Sequence, residues 1–246
     1  MDVKTEDHAQ LEQVTEEDAR RLTKSAGRKF LGIATLIAFT VLLYMALVFA
    51  PEDAAQGPAQ RIFYIHVPSA WIGFLGFFVV FVASIAFLAT RKRRWDDIAS
   101  ASASIGVVFT TGVLITGPLW GRPVWGVYWT WDPRLTSFLM LWLIYVSYLV
   151  LRGYVPEPER RARYSAVLGI VGFLDVPIVY LSVRWWRSEH PLQLVFQRGG
   201  LPSQMLLSLF VGLAAFTLLY AYLMSVKLRV GRLSDRAEEF EEEVAR

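Results

Sequence analysis

The sequence predicts an all-α protein: a polytopic membrane bundle of about six transmembrane helices, with both termini on the cytoplasmic side. Three observations predict it. The chain is 54% hydrophobic over 246 residues, above the roughly 45–50% of ordinary soluble domains. The excess is gathered into six long uncharged blocks rather than dispersed. Lysine and arginine alternate between abundance and scarcity from one inter-block segment to the next.

The blocks run over Phe30–Ala50, Val67–Thr90, Ile98–Gly117, Leu135–Leu151, Tyr164–Val183 and Ser203–Val226. At about 1.5 Å rise per residue, each approaches or exceeds what a hydrocarbon core about 30 Å thick requires. The fourth is the shortest, yet it is uncharged and aromatic-rich. The third is dense in Ala, Ser and Gly, which suits close approach of helix backbones. No repeat of 20–50 residues is present, so one membrane domain is expected over residues 30–228. It is flanked by a polar N-terminal tail, 1–29, and a charged C-terminal tail, 229–246. The first 29 residues mix charges and hold no apolar core behind a basic stretch. No cleavable signal is therefore expected, and the first block stays in the membrane.

Orientation follows from the basic residues. One set of flanks carries Arg20, Arg21, Lys24, Arg28 and Lys29; Arg91, Lys92, Arg93 and Arg94; Arg152, Arg160, Arg161 and Arg163; and Lys227, Arg229 and Arg232. The alternate set carries only Arg61, Arg122, Arg134, Arg184, Arg187 and Arg198. The rich set belongs to the cytoplasm of a bacterial inner membrane. Three loops, about 51–66, 118–134 and 184–202, then face outward into the periplasm. The tail from Ser234, with Glu238, Glu239, Glu241, Glu242 and Glu243, reads as a solvated helix or a disordered end, or else as a docking tail for a cytoplasmic partner.

Composition removes several kinds of chemistry. There is no cysteine, which excludes disulfides, thiol catalysis, zinc–thiolate sites, iron–sulfur clusters and cysteine-linked haem within this chain. No Gly-x-x-x-x-Gly-Lys-Ser/Thr phosphate loop occurs, so the chain carries no ATPase motif of its own. No paired acidic motif or Ser–His arrangement marks an enzyme, and no turnover chemistry and no nucleic-acid partner are expected.

The informative stretch is the second outer loop: Leu119-Trp120-Gly121-Arg122-Pro123-Val124-Trp125-Gly126-Val127-Tyr128-Trp129-Thr130-Trp131-Asp132-Pro133-Arg134. Four of the chain's nine tryptophans fall in it. Tryptophans of an interfacial belt are ordinarily scattered over several helix ends. Clustered indoles beside Gly121 and Gly126 instead suit a planar ligand brought close to the backbone. His66 closes the first outer loop and His190 lies in the third, so both emerge beside the tryptophan loop. Each suits a hydrogen-bonded helix end. Together, around an aromatic platform, they also suit axial ligation of a metallomacrocycle such as haem. His8 lies in the polar tail and is read as solvated. Arg61, Arg122, Arg134 and Arg184 suit either headgroup anchoring or, through their forked donors, the two propionates of haem. Asp132 before Pro133 reads as the cap of the fourth helix. Asp175, inside the fifth block two residues before Pro177, is a polar group in a costly place. It suits capping of a Pro-loosened backbone, pairing with a partner helix, or a function.

The stretch Trp-Gly-x-x-x-Trp-Gly-x-Tyr-Trp-x-Trp-Asp resembles the tryptophan-rich WWD motif of the haem-handling proteins of cytochrome c assembly. Six spans with that motif in the second outer loop resemble haem exporter protein C, the CcmC family. The likeness extends to Arg61-Ile62-Phe63-Tyr64-Ile65-His66-Val67-Pro68 and to Ser182-Val183-Arg184-Trp185-Trp186 followed by His190, about residues 28–228. It implies haem binding by Trp120, Gly121, Trp125, Gly126, Trp129, Trp131 and Asp132, with His66 and His190 as axial ligands. It also implies haem b as transient cargo, CcmA, CcmB and CcmD as partner subunits of an ABC-type complex, and delivery to the periplasmic chaperone CcmE. Pro191 after His190 and the longer tails depart from the family pattern. The alternative is a membrane transporter that moves haem, or another planar ligand, through its own helices. That reading asks for polar residues inside several blocks, and only Asp175 qualifies.

Overall fold

The computed structural model describes residues 26–186 and 200–244. Within them, six helical segments are long and apolar enough to cross a membrane. In chain order the helices are α1 (Ala26–Phe49), α2 (Phe63–Thr90), α3 (Arg93–Trp125), α4 (Pro133–Tyr154), α5 (Pro158–Phe173), α6 (Asp175–Trp185) and α7 (Ser203–Val244). Helices α5 and α6 together make the fifth crossing. No strand is present among the described residues, so the expected all-α membrane bundle is what the chain forms.

Proline chemistry explains where the helices bend and start. Pro177 has no N–H and its ring crowds the carbonyl of Phe173, one turn earlier. The crossing accordingly breaks at Leu174, between α5 and α6. Pro133 and Pro158 stand at the first position of α4 and α5, where a missing N–H costs nothing. The Asp132 carboxylate accepts the backbone N–H of Arg134 at 2.8 Å, as the sequence predicts for a cap.

Three boundaries differ from the sequence expectation. Pro58 opens a short 3-10 turn, Pro58–Ile62, which runs directly into α2, so His66 lies one turn inside a helix and not in a loop. Helix α3 does not stop at Gly117 but continues through Pro118 and Pro123 to Trp125. Each proline removes one backbone hydrogen bond, and tertiary packing of the extra two turns outweighs the loss. The outer connection between α3 and α4 therefore shrinks to residues 126–132. Helix α7 continues past Val226 through the charged tail, and Arg93 of α3 meets its Asp235 at 2.6 Å.

The centre of the bundle is the α2–α3 pair, and the small residues expected in the third block make it close. A Cβ built on Gly76 would lie 3.3 Å from the Gly106 Cα, and one on Gly106 would lie 2.6 Å from the Phe77 ring. Only hydrogen at these positions lets the backbones meet. The Ser102 hydroxyl bridges this seam, 2.7 Å from the Gly76 carbonyl and 2.7 Å from the Tyr220 hydroxyl of α7. On one side of the pair, Phe77 stacks on Tyr145 of α4 with ring centroids 3.6 Å apart, and Tyr148, Leu141 and Val179 complete that core. On the other, Leu42, Ala46, Ile72, Ile105, Met205, Ala215 and Phe216 join α1 and α7 to it. At the end bearing the basic loops, Arg152 of α4 grips Asp96 of α3 through two hydrogen bonds, 2.5 and 2.8 Å long, with both side chains largely buried.

Candidate functional site

Each of the six spans crosses the bundle once, with α5 and α6 making one span between them, so the start of α2, the end of α3, the start of α4 and the end of α6 share one end. That is the end poor in basic residues. It is also where His66, the tryptophan stretch and Arg184 are found.

His66 is half-buried and faces α3. Its Nδ1 lies 2.9 Å from the Thr116 hydroxyl, and its ring meets the Trp120 indole edge to face at 5.7 Å. Gly117 lies beneath it: a Cβ there would come within 3.3 Å of the imidazole. Thr116 and Trp120 are four residues apart on one helix and so lie on the same face. The extension of α3 past Gly117 is thus what puts Trp120 against the histidine. Trp120 is itself fixed, donating its indole N–H to the Gln56 side-chain oxygen at 2.9 Å and packing edge-on to Phe63 at 6.0 Å.

One turn further, the Trp125 ring lies over Gly121, where a Cβ would meet it at 3.0 Å. Gly121 is buried, and its missing side chain serves the seating of Trp125. Gly126, by contrast, stands in the open. It closes α3 with φ 80°, and a Cβ there would meet nothing within 4 Å. The Arg122 guanidinium caps the Gly126 carbonyl and lies over the Tyr128 ring at 5.6 Å. In the short connection, Trp129 and Trp131 pack edge to face at 84°, which makes a corner of two indoles and not one plane. Trp131, in the left-handed region at φ 54°, is 69% exposed. The Trp129 indole N–H is buried with no partner among the described residues.

The structure brings together His66, Trp120, Gly121, Trp125 and Gly126 along the α2–α3 rim, with Trp129, Trp131 and Asp132 in the adjoining turn. The candidate arginines are dispersed around it. Arg61 spends one guanidinium donor on the Ala46 carbonyl at 2.5 Å, closing the widened last turn of α1. Arg134 is half-buried beside the Asp132 cap, and Arg184 is exposed at the end of α6 beside Trp185 and Trp186. His190, the second candidate axial ligand, and His8 lie outside the described residues. Thr116, Gln56 and Phe63 are the partners that sequence reasoning missed. The four-residue spacing of Thr116 and Trp120 would have pointed to the first, had α3 been carried past Gly117. Asp175 begins α6 at the break, half-buried, with its Oδ2 unpaired among the described residues. Three histidine, cysteine or carboxylate ligands are nowhere grouped for a bare metal ion among the described residues.

Fold and site define a class: a six-span helical membrane protein that presents a histidine and a cluster of indoles at one rim. The model of the haem exporter protein C family matches residues 12–242. The chain is 42% identical over 202 residues to the haem exporter protein C of Bradyrhizobium diazoefficiens, covering 81% of this chain and 76% of that protein. It is 37% identical over 162 residues to the haem exporter protein C of Escherichia coli K12, covering 65% and 66%. It is 31% identical over 223 residues to a putative cytochrome c biosynthesis ccmC-like mitochondrial protein of Arabidopsis thaliana, covering 90% and 84%. The chain belongs to the haem exporter protein C family.

Proposed function

We propose that this protein binds haem b as transient cargo at its tryptophan-rich rim and hands it to the chaperone CcmE during cytochrome c maturation. It acts in the bacterial inner membrane within a complex with CcmA, CcmB and CcmD, and its N- and C-termini face the cytoplasm. The observation that carries this reading is the packing of His66 against Thr116, Gly117 and Trp120 at the head of the indole cluster. A held imidazole beside an indole wall is what a haem iron and its apolar macrocycle require. The family names of its relatives point to the same cargo.

In this reading His66 and His190 supply the two axial nitrogens. Trp120, Trp125, Trp129 and Trp131 exclude water from the macrocycle, and Gly126 lets its edge approach the backbone. Asp132 holds the turn that aims Trp129 and Trp131. Propionates are met by the dispersed arginines Arg61, Arg122, Arg134 and Arg184, of which Arg122 and Arg184 are exposed. Transient cargo requires a rim open enough for haem to leave by the face it entered. The protein contributes ligation, orientation and water exclusion, and no covalent step of its own. The energy for assembly comes from another subunit, because the chain has no phosphate loop.

The test is haem content per mole of monodisperse detergent-purified protein made under abundant haem synthesis. His66→Ala and His190→Ala each lower it, the double change abolishes the wild-type spectrum, and His8→Ala leaves it unchanged. Wild-type haem content in the double variant would refute axial ligation by these residues.

A further inference from the structure

At the opposite, basic end of the bundle lies a cleft of about 400 Å³ between α1 and α7, lined by Arg28, Lys29, Tyr222, Val226, Arg229, Val230 and Leu233. It exists because α1 leans on α7 through the Tyr222 ring, which would stand 3.1 Å from a Cβ on Gly32, and the two helices part below that contact. Three cations converge on the cleft. Among the described residues none of them forms a salt bridge, although Arg93, Arg152, Arg160 and Arg163 all find carboxylates. The remaining wall is apolar. It runs into residues that face outward from the bundle: Phe30, 74% exposed, and Ile33 on α1, and Val230 and Leu233 on α7.

We propose that this cleft is a binding site for an anionic glycerophospholipid, distinct from the rim described above. Arg28, Lys29 and Arg229 hold the phosphodiester, Tyr222 borders the headgroup, and the acyl chains lie along the apolar faces of α1 and α7. The level is right for a lipid. Val226 is 23 residues into α7, about 34 Å from its start at 1.5 Å per residue, which is the depth at which a helix leaves the hydrocarbon core. A basic recess between helices at that level selects anionic headgroups electrostatically. A free phosphate would use the cations but not the apolar wall, so the lipid is the occupant that satisfies both.

The experiment is native mass spectrometry of the full chain in detergent, supplied with phosphatidylglycerol, phosphatidylethanolamine or inorganic phosphate. Phosphatidylglycerol adducts are expected to survive activation while phosphatidylethanolamine adducts are lost. Each cation removed should cost about fivefold in apparent affinity, read from adduct intensity across a lipid titration, the factor equivalent to about 1 kcal/mol per basic residue. Arg28→Gln/Arg229→Gln should therefore lose about 25-fold. Arg91→Gln/Lys92→Gln, equally basic and at the same end but outside the cleft, should retain wild-type occupancy. Val230→Trp keeps every charge and fills the recess, and it should also lose the adduct; it decides the matter if the charge variant does not fold. Equal losses in the two charge variants, or undiminished binding in Val230→Trp, would overturn the proposal. So would competition by inorganic phosphate for the same residues, which would make the cleft a free-anion site.

Discussion

His66 Nδ1 and the Thr116 hydroxyl oxygen are 2.9 Å apart, although the residues are fifty positions apart in sequence. The same hydroxyl lies 2.7 Å from the Gly112 carbonyl. Two oxygens that close require a hydrogen between them, and the hydroxyl has only one. Thr116 therefore donates to Gly112 and accepts from His66. In the neutral imidazole that places the proton on Nδ1 and the lone pair on Nε2, the form a metal binds.

A first prediction follows from that proton. Thr116→Val keeps the shape of the side chain and removes the acceptor. Supporting hydrogen bonds to ligating histidines typically contribute 10–100-fold in metal affinity. The variant should bind haem about tenfold more weakly in titration, and Thr116→Ser should restore it. Nitrogen-15 NMR of the haem-free protein should show His66 protonated on Nδ1 in the wild type and in Thr116→Ser, and as a mixture of tautomers in Thr116→Val. An unchanged tautomer in Thr116→Val would remove the assignment even if His66 proves to be a ligand.

The second prediction concerns orientation. Reporter fusions after Ala55 and Thr130 should read as periplasmic, and fusions after Arg93 and Glu159 as cytoplasmic. The cause is the Lys/Arg asymmetry, which holds at every loop pair. A cytoplasmic reading at Thr130 would place the indole rim on the wrong side for delivery to a periplasmic chaperone.

The third concerns the Asp96–Arg152 pair, whose side chains are 11% and 15% exposed. Breaking a buried pair leaves one charge uncompensated and typically costs about 3–5 kcal/mol. Asp96→Ala should lower the thermal unfolding midpoint of the purified protein markedly. Asp96→Leu/Arg152→Leu should recover much of the loss, because an apolar pair of similar bulk needs no partner. If the double variant is no better than Asp96→Ala, the pair does more than neutralise itself.

What the sequence made legible was what local chemistry decides. Six crossings were readable because membrane spans must be long and apolar. The Asp132 cap was readable because donor, acceptor and proline are neighbours in sequence. The α2–α3 seam was half readable: the wealth of small residues in the third block indicated close packing, but nothing local pairs Gly76 with Gly106. The Gly117-Pro118 step read as a helix end on local propensity, and packing of Trp120 and Trp125 carried the helix on. That one boundary hid the Thr116–His66 contact and made two turns of rigid helix look like loop. The Asp96–Arg152 pair was invisible for a different reason, since both residues look like ordinary flanking charges until α3 and α4 are placed side by side.

The last prediction separates the roles of the indoles. Trp71 donates to the Thr217 hydroxyl at 3.1 Å and ties α2 to α7, away from the rim. Trp125 seats on Gly121 and supports the final turn of α3. Trp131 is 69% exposed and stands edge to face with Trp129, so it contributes surface at little cost to the fold. Stacked aromatic contacts contribute about 0.5–1.5 kcal/mol each beyond area burial. Trp131→Ala should therefore lower haem retention by about two- to tenfold with an unchanged unfolding midpoint. Trp129→Ala/Trp131→Ala should lower it far more. Trp125→Ala should reduce both retention and stability, and Trp71→Ala stability alone. The measurements are haem per mole of monodisperse protein and the unfolding midpoint of the same samples. Equal haem occupancy in Trp129→Ala/Trp131→Ala and Trp71→Ala would mean that the corner of indoles anchors the protein in the interface and does not form the wall of a haem site.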